Sequence, residues 1–306
     1  MTRLGKPRTA ARETHPTQKR GVHYDPVKDR LAAVCEQHPL LWRGFYAALD
    51  TLFLRAWYVR REVRRLMAEF SQDERPVRIL DAGTGFGQYA HFLLREFPQA
   101  RVHAVDVKTD YLTRAQAFMR TTPYAGRVTF AEDDLTELEA DGPFDLILSV
   151  DVMEHIADDE AVFEHFARVL RPGGYVVINT PSDRGGSGVD AAKADTAGAD
   201  SFIGEHVRDG YNLGALEEKL RRAGLAPTTS RYTYGRYGSA AWTLLIQQPM
   251  KALGKSWAFL PLVLAYYLPA LPAGLLLNAL DVRADNDEGT GLLVTARKPP
   301  AAMPAA

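Results

Sequence analysis

Val77-Arg78-Ile79-Leu80-Asp81-Ala82-Gly83-Thr84-Gly85-Phe86-Gly87 is the stretch on which the fold turns. A short apolar run ends in a carboxylate, a glycine loop follows at once, and Tyr89-Ala90-His91-Phe92-Leu93-Leu94 then opens a helical pattern. Strand, tight turn and helix start together make the nucleotide-binding corner of an α/β sheet. Glycine is needed there because a ligand must lie against bare backbone, and a Cβ would hold it off. A dinucleotide fingerprint requires a third glycine at position 88, which is Gln88. Here glycine recurs at every second position instead, with Asp81 just before the loop.

Working outward, strand and helix signals alternate. Strands are expected near 77–81, 101–106, 127–130, 144–150 and 174–179, and helices near 87–97, 110–120, 157–170 and 212–223. Alternation at this interval builds a parallel sheet with right-handed crossovers. Arg101-Val102-His103-Ala104-Val105-Asp106 is a second strand ending in a carboxylate, about 20 residues past the loop, where it can accept both hydroxyls of a ribose. Phe144-Asp145-Leu146-Ile147-Leu148-Ser149-Val150 reads as a strand buried on both faces. Arg171-Pro172-Gly173-Gly174 stops a helix and turns the chain. Arg231–Tyr234 and Leu292–Ala296 look like two last strands, separated by about 55 residues, far more than a hairpin loop.

The glycine loop resembles that of class I S-adenosylmethionine (SAM)-dependent methyltransferases, and the likeness extends from about Val77 to Gly224 and resumes near Thr290. The chain is similar to methyltransferases of type 11/12, among them the ubiquinone-biosynthesis O-methyltransferases. The resemblance implies a doubly wound α/β fold with a mostly parallel seven-stranded, Rossmann-like sheet, and SAM as cofactor. Carried onto this chain, the cofactor residues are Asp81, Gly83, Gly85, Gly87, Asp106, Asp133, Asp134 and Ser149. Asp134 falls on the position that meets the adenine amino group in the family, while Asp133 replaces what is commonly glycine. The remaining alternative is a nucleotide-binding loop of another α/β family.

SAM carries its methyl group on a positive sulfur, and transfer is an in-line displacement, so a dry pocket and close positioning supply much of the rate. An oxygen acceptor also needs its proton removed. Ser149-Val150-Asp151-Val152-Met153-Glu154-His155-Ile156 looks like the acidic-x-x-Glu-His segment of the ubiquinone-biosynthesis enzymes. In that group the three polar residues hold a divalent cation, so Asp151, Glu154 and His155 are an alternative Mg²⁺ site; the preferred reading is that Glu154 and His155 act without metal. The segment Gly204-Glu205-His206-Val207-Arg208-Asp209-Gly210-Tyr211 recurs in many small-molecule methyltransferases and lies after the fifth strand. His206 is a candidate base there and Arg208 a candidate holder of an anionic group; the alternative is a structural lid whose Arg208 pairs with a carboxylate. Residues 183–201, rich in Gly, Ala and Asp, are expected to form a lid loop.

Composition bounds the rest. The 306 residues are 46% hydrophobic with net charge -1, which suits one large domain with additions and offers no global field for nucleic acid. A single cysteine, Cys35, excludes an internal disulfide and fits a reducing cytoplasm. Residues 1–30 read as a disordered basic arm, 31–72 as an N-terminal helical cap, 73–298 as the methyltransferase domain with an apolar insertion at about 236–288, and 299–306 as a tail. The cap carries Arg55, Arg60, Arg61, Arg64 and Arg65, so it suits either an anionic membrane surface or a helix packed over the site.

The insertion has no charged residue between Lys255 and Asp281. It is long enough to span a bilayer, but flanking strands paired in one sheet would place both its ends on the same side, and Pro261, Pro269 and Pro272 are expected to break any continuous helix. Trp257, Tyr266 and Tyr267 suit a lipid boundary, and 239–253 is expected to join the patch. Peripheral contact through 239–280 with the inner face of the cell membrane is the expectation; a pocket lid or a dimer interface is the alternative. The function expected is methyl transfer to an oxygen of a hydrophobic or lipid-linked small molecule in the cytoplasm. N-methylation of an aminolipid head group, or SAM binding without turnover, are the rivals. The oligomeric state is left open.

Overall fold

The computed structural model describes residues 38–70, 75–184 and 207–300. The expected arm at 1–30, most of the expected lid loop and His206 lie outside the described residues.

Seven strands form one sheet: β1 (Val77–Ala82), β2 (Ala100–Asp106), β3 (Val128–Glu132), β4 (Phe144–Val150), β5 (Leu170–Pro181), β6 (Ala226–Thr233) and β7 (Gly291–Arg297). Their spatial order is β3-β2-β1-β4-β5-β7-β6. β1 to β5 pair in parallel, while β7 runs antiparallel between β5 and β6. This is the doubly wound seven-stranded arrangement that the alternating sequence pattern predicts. The order reverses between β1 and β4, so the crevice at their carboxyl ends is the topological switch point where such sheets bind ligands. Apolar side chains cover both faces, with Leu80, Ile147 and Val176 in one layer and Ile79, Leu148 and Val177 in the other.

The helices of the sheet are α3 (Gln88–Glu96), α4 (Thr109–Met119), α5 (Asp159–Val169) and α6 (Leu213–Arg222), preceded by α1 (Pro39–Leu52) and α2 (Leu54–Phe70). The cap thus holds two helices, split at Phe53, whose backbone is extended. Its arginines are engaged within the protein. Arg60 pairs with Asp50 at 2.8 Å, Arg64 pairs with Glu96, Arg65 with Glu62 at 2.7 Å, and Arg61 donates to the Val282 carbonyl at 2.6 Å. Tyr58, Val59, Val63 and Leu66 are buried on the sheet, so the packed-helix alternative describes α2.

β6 is longer than the sequence pattern suggests, because its first half alternates at an edge with no large apolar residues. The insertion between β6 and β7 is a helical hairpin. Its first limb runs through α7 (Arg236–Trp242), a π-helical turn (Thr243–Gln247) and α8 (Gln248–Lys255); its second is α9 (Leu260–Arg283). The expectation that prolines would interrupt the second limb is corrected, since α9 continues through both Pro269 and Pro272. Pro261 sits in the first turn, where no amide donor is needed. The interior prolines withhold only the donors to the Ala265 and Leu268 carbonyls, and packing against the first limb holds the helix together. Tyr266 and Tyr267 donate their hydroxyls to the Leu244 and Leu245 carbonyls at 2.8 and 2.5 Å, in the π-helical turn. Both tyrosines therefore pin the two limbs together while their rings stay half-buried. At the root, the buried Asp281 carboxylate accepts from Tyr58 Oη and the Gly238 amide, each at 2.7 Å.

Thr233 pairs with Gly291, which also pairs with Pro181 at the carboxyl end of β5. The hairpin consequently emerges at the same, carboxyl, end of the sheet as the crevice.

Candidate active site

Gly83, Gly85 and Gly87 have φ of 79°, 52° and 79°. All three lie in the left-handed region that side chains with a Cβ avoid, and this explains glycine at alternate positions. A Cβ on Gly83 would strike Val152, and one on Gly87 would crowd Ala115 and Tyr46 Oη, whereas Gly85 faces open space with nothing within 4 Å. Bare backbone is thus presented to the crevice at Gly85. Asp106 holds this geometry: its carboxylate accepts from the Gly85 amide at 2.8 Å and from the Lys108 amide at 2.9 Å. Asp81 lies buried beneath the loop and accepts from Thr84 Oγ1 at 2.6 Å. Burial pushes its carboxyl up to about 7 against the Thr84 and Ala90 hydrogen bonds. Asp81 braces the loop from behind.

α1 roofs the loop. Tyr46 Oη donates to the Phe86 carbonyl, and Trp42, Phe45, Tyr46, Phe86 and Phe118 form an aromatic cluster above it. Ser149, at the end of β4, is buried and its hydroxyl has no hydrogen-bond partner within the protein. The open face of Gly85, the Asp106 carboxylate at the mouth and this orphaned hydroxyl fit a nucleoside-bearing ligand. The Asp133 carboxylate accepts from the Glu139 and Ala140 amides at 3.1 and 3.0 Å, and Asp134 accepts from the Thr136 amide at 2.8 Å. Both aspartates shape the turn after β3.

Beyond β4 the chain enters a cluster that sequence reasoning did not assemble. Asp151 has φ 53° and pairs with Arg55 of α2 at 2.6 Å. The Arg55 amide donates to Tyr234 Oη at 3.0 Å, and Tyr234 has φ 55°. Strained residues of this kind collect at functional sites. Here two of them, from distant parts of the chain, meet one arginine. Tyr89, on α3, contributes a buried hydroxyl with no partner, and it senses the charges of Arg55 and Asp151. Glu154 is buried and accepts from Thr180 Oγ1 at 3.1 Å. Burial first, and then the Asp151 charge, push its carboxyl up to about 8, so it is protonated at neutral pH.

One alternative finds no support and one expectation is corrected. The alternative metal trio does not converge, because Asp151 faces Arg55, Glu154 is sealed beside Thr180 and His155 is exposed. Among the described residues no three His, Cys, Asp or Glu side chains gather as a metal would require. Arg208, expected to hold a substrate anion, is committed elsewhere: it pairs with Asp159 and donates to Tyr211 Oη at 2.7 Å and to the Ile156 and Ala157 carbonyls at 2.7 and 3.0 Å. Burial alone would raise the Asp159 carboxyl, but Lys219, Tyr211 and Arg208 outweigh it and hold it below the ordinary range. This is a structural clamp on α5 and α6. A surface groove of about 540 Å³ runs along β3 and the starts of β1 and β2, and neither the glycine loop nor Asp106 nor Asp151 lines it.

The sequence signal for Arg55 was only its place in a basic helix, and nothing local links it to Asp151. Tyr89 and Tyr234 read as apolar positions of a helix and a strand end.

Residues 79–174 match the family described as methyltransferase domain. Over 165 residues the chain is 30% identical to the malonyl-[acyl-carrier protein] O-methyltransferase of Hahella chejuensis, covering 54% of this chain and 57% of that protein. It is 31% identical over 121 residues to the trans-aconitate 2-methyltransferase of an Azoarcus species, covering 40% of this chain and 45% of that one. The chain spans about half the length of the curated relatives it matches. Among solved structures, phosphoethanolamine N-methyltransferase 2 of Haemonchus contortus, in complex with SAM, superimposes with a TM-score of 0.53 at 23% identity, covering 78% of this chain and 52% of that one. The [4+2]-cyclase SpnF superimposes with a TM-score of 0.52 at 21% identity, covering 78% and 81%. Fold alone therefore does not dictate the reaction.

Proposed function

Because this chain carries, at residues 79–174, a methyltransferase domain of the class I SAM-dependent family, we propose that it transfers a methyl group from SAM to an oxygen of a hydrophobic or lipid-linked small molecule. The observation that carries the reading is the Gly85–Asp106 arrangement, in which bare left-handed backbone and a carboxylate meet at the carboxyl ends of β1 and β2. Asp106 would receive the ribose hydroxyls, and Gly83 to Gly87 would lie against the rest of the donor. When bound, the donor supplies an electrophilic methyl group on a positive sulfur.

The chain's own residues then divide the remaining work. Arg55 holds Asp151 at 2.6 Å beside the crevice, so its carboxyl group would be the one to take the proton of an acceptor hydroxyl. Glu154, neutral at pH 7, adds no second negative charge there. The Tyr89 hydroxyl, without a partner, and the Tyr234 hydroxyl, which accepts from the Arg55 amide, would orient a polar acceptor group beside Arg55. The aromatic roof of α1, together with Phe53 and Trp242 at the hairpin root, excludes water and favours an apolar acceptor body. Oxygen is favoured over nitrogen because two relatives near 30% identity are named for malonyl O-methylation and for trans-aconitate 2-methylation.

The test uses the full chain with labelled SAM and a bacterial lipid extract, alongside calorimetry of SAM binding. Binding that Asp106→Ala weakens more than tenfold, and a labelled methyl ether or ester abolished by Arg55→Gln at unchanged SAM affinity, are the expected results. Absence of SAM binding in the wild type overturns the reading at its base. A labelled amine product overturns the oxygen assignment alone.

A further inference from the structure

We propose that the hairpin of residues 236–283 is a docking surface for an anionic lipid bilayer, lying in the interface without crossing it. Trp257–Arg283 has a mean hydropathy of 1.8 and is long enough to cross a membrane, yet only 17% of its apolar window is buried within the protein. A surface helix of a soluble protein shows water a polar face. α9 does not. Its inner face, marked by Val263, Ala270, Gly274 and Asn278, packs on the first limb, and Gly274 lies so close that a Cβ would strike Leu245. Its outer face carries Leu262, Leu264, Leu268 and Leu276, which are 60 to 80% exposed. Trp257 and Phe259, at the tip between the limbs, are also exposed.

Charge selects the occupant. From Lys219 to Leu280 the chain contains no Asp or Glu, although it has 38 of them in all. Lys251 and Lys255 are exposed beside the apolar tip. The nearest acids, Asp281, Asp285, Asp287 and Glu288, all lie at the root, on the side of the sheet. An apolar face edged by lysines at one end and backed by acids at the other complements an anionic headgroup layer. Two copies meeting tip to tip would instead bring like charges together.

A single crossing is excluded by topology, and a double one would have to carry Lys251 and Lys255 at the tip through the hydrocarbon. Both limbs return to one sheet, where Thr233 pairs with Gly291, so both ends of the hairpin lie on one side of any bilayer. Because Thr233, Gly291 and Pro181 all stand at the carboxyl end of the sheet, a seated hairpin brings the crevice to the lipid surface. This inference does not depend on the methyl-transfer reading.

Co-sedimentation of the full chain with vesicles tests it. Wild type should pellet with phosphatidylcholine–phosphatidylglycerol vesicles, and less with phosphatidylcholine alone. The triple substitution Leu264→Glu, Leu268→Glu, Leu276→Glu alters only exposed positions and should lower partitioning at least tenfold. Lys251→Glu with Lys255→Glu should remove the preference for the anionic vesicles. Far-UV circular dichroism and SAM calorimetry on the same samples separate a failed dock from a failed fold or a failed donor site. A wild type indifferent to both vesicle types overturns the proposal. So does a stable dimer in sedimentation velocity that the leucine substitutions dissolve, since the occupant would then be a second copy.

Discussion

Replacing Glu154 by Gln should make the protein more stable, and increasingly so as pH rises. Glu154 is 1% exposed and accepts one hydrogen bond, from Thr180. Its carboxyl stands at about 8 against an ordinary value of 4.5. Below 4.5 the group is protonated whether the chain is folded or not, and it contributes no pH dependence. Between 4.5 and about 8 the unfolded chain has released the proton while the folded chain keeps it, so stability falls with rising pH. Above about 8 the folded state carries the buried charge and the loss is complete. At about 1.4 kcal/mol per pH unit, the interval corresponds to roughly 3–5 kcal/mol once relaxation around the charge is allowed. Glutamine keeps the shape and cannot ionise. For a chain of this size each kcal/mol moves the melting temperature by about 2 °C, so the variant should gain roughly 6–10 °C over wild type between acid and alkaline conditions. Scanning calorimetry of both proteins from pH 5 to pH 9 reads this directly. Asp81, pushed to about 7 by burial, titrates in the same direction but equally in both proteins, and cancels in the difference. A melting difference that stays constant across the range would refute a buried, protonated Glu154.

Two further outcomes concern the framework. Arg208→Ala should lower stability by about 2 kcal/mol, since it strips the buried Asp159 of one partner while Lys219 remains at 2.7 Å. SAM affinity should stay unchanged by calorimetry; a selective loss of SAM or acceptor binding would return Arg208 to the site. Asp281→Ala should cost about 2 kcal/mol in denaturant unfolding, because the buried Gly238 amide loses its acceptor while Tyr58 Oη keeps only the Asp281 main-chain carbonyl. Hydrogen exchange should then show the hairpin root opening before the sheet, and uniform loss of protection would argue that the root is not held there.

Local signals made the nucleotide corner legible in the sequence. A strand, a carboxylate and glycines at alternate positions are short-range features, and the left-handed φ values of Gly83, Gly85 and Gly87 are what such spacing demands. The seven strands were readable for the same reason, with β6 understated because an edge strand needs no apolar alternation. Motif likeness pointed to Asp106, which the fold sets against the Gly85 amide at the end of β2. Only the folded chain could show that Arg208 is tied to Asp159, that Arg55 reaches Asp151, and that Tyr89 ends with an orphaned hydroxyl. These are contacts between residues far apart in sequence, and no local periodicity encodes them. The apolar composition of 256–280 was plain from the residues. Whether that surface would be buried or left facing outward depended on how one helix packs against another. Here the first limb, with α2 at the root, covers the inner face of α9, while Leu262, Leu264, Leu268 and Leu276 on the other face stay exposed among the described residues.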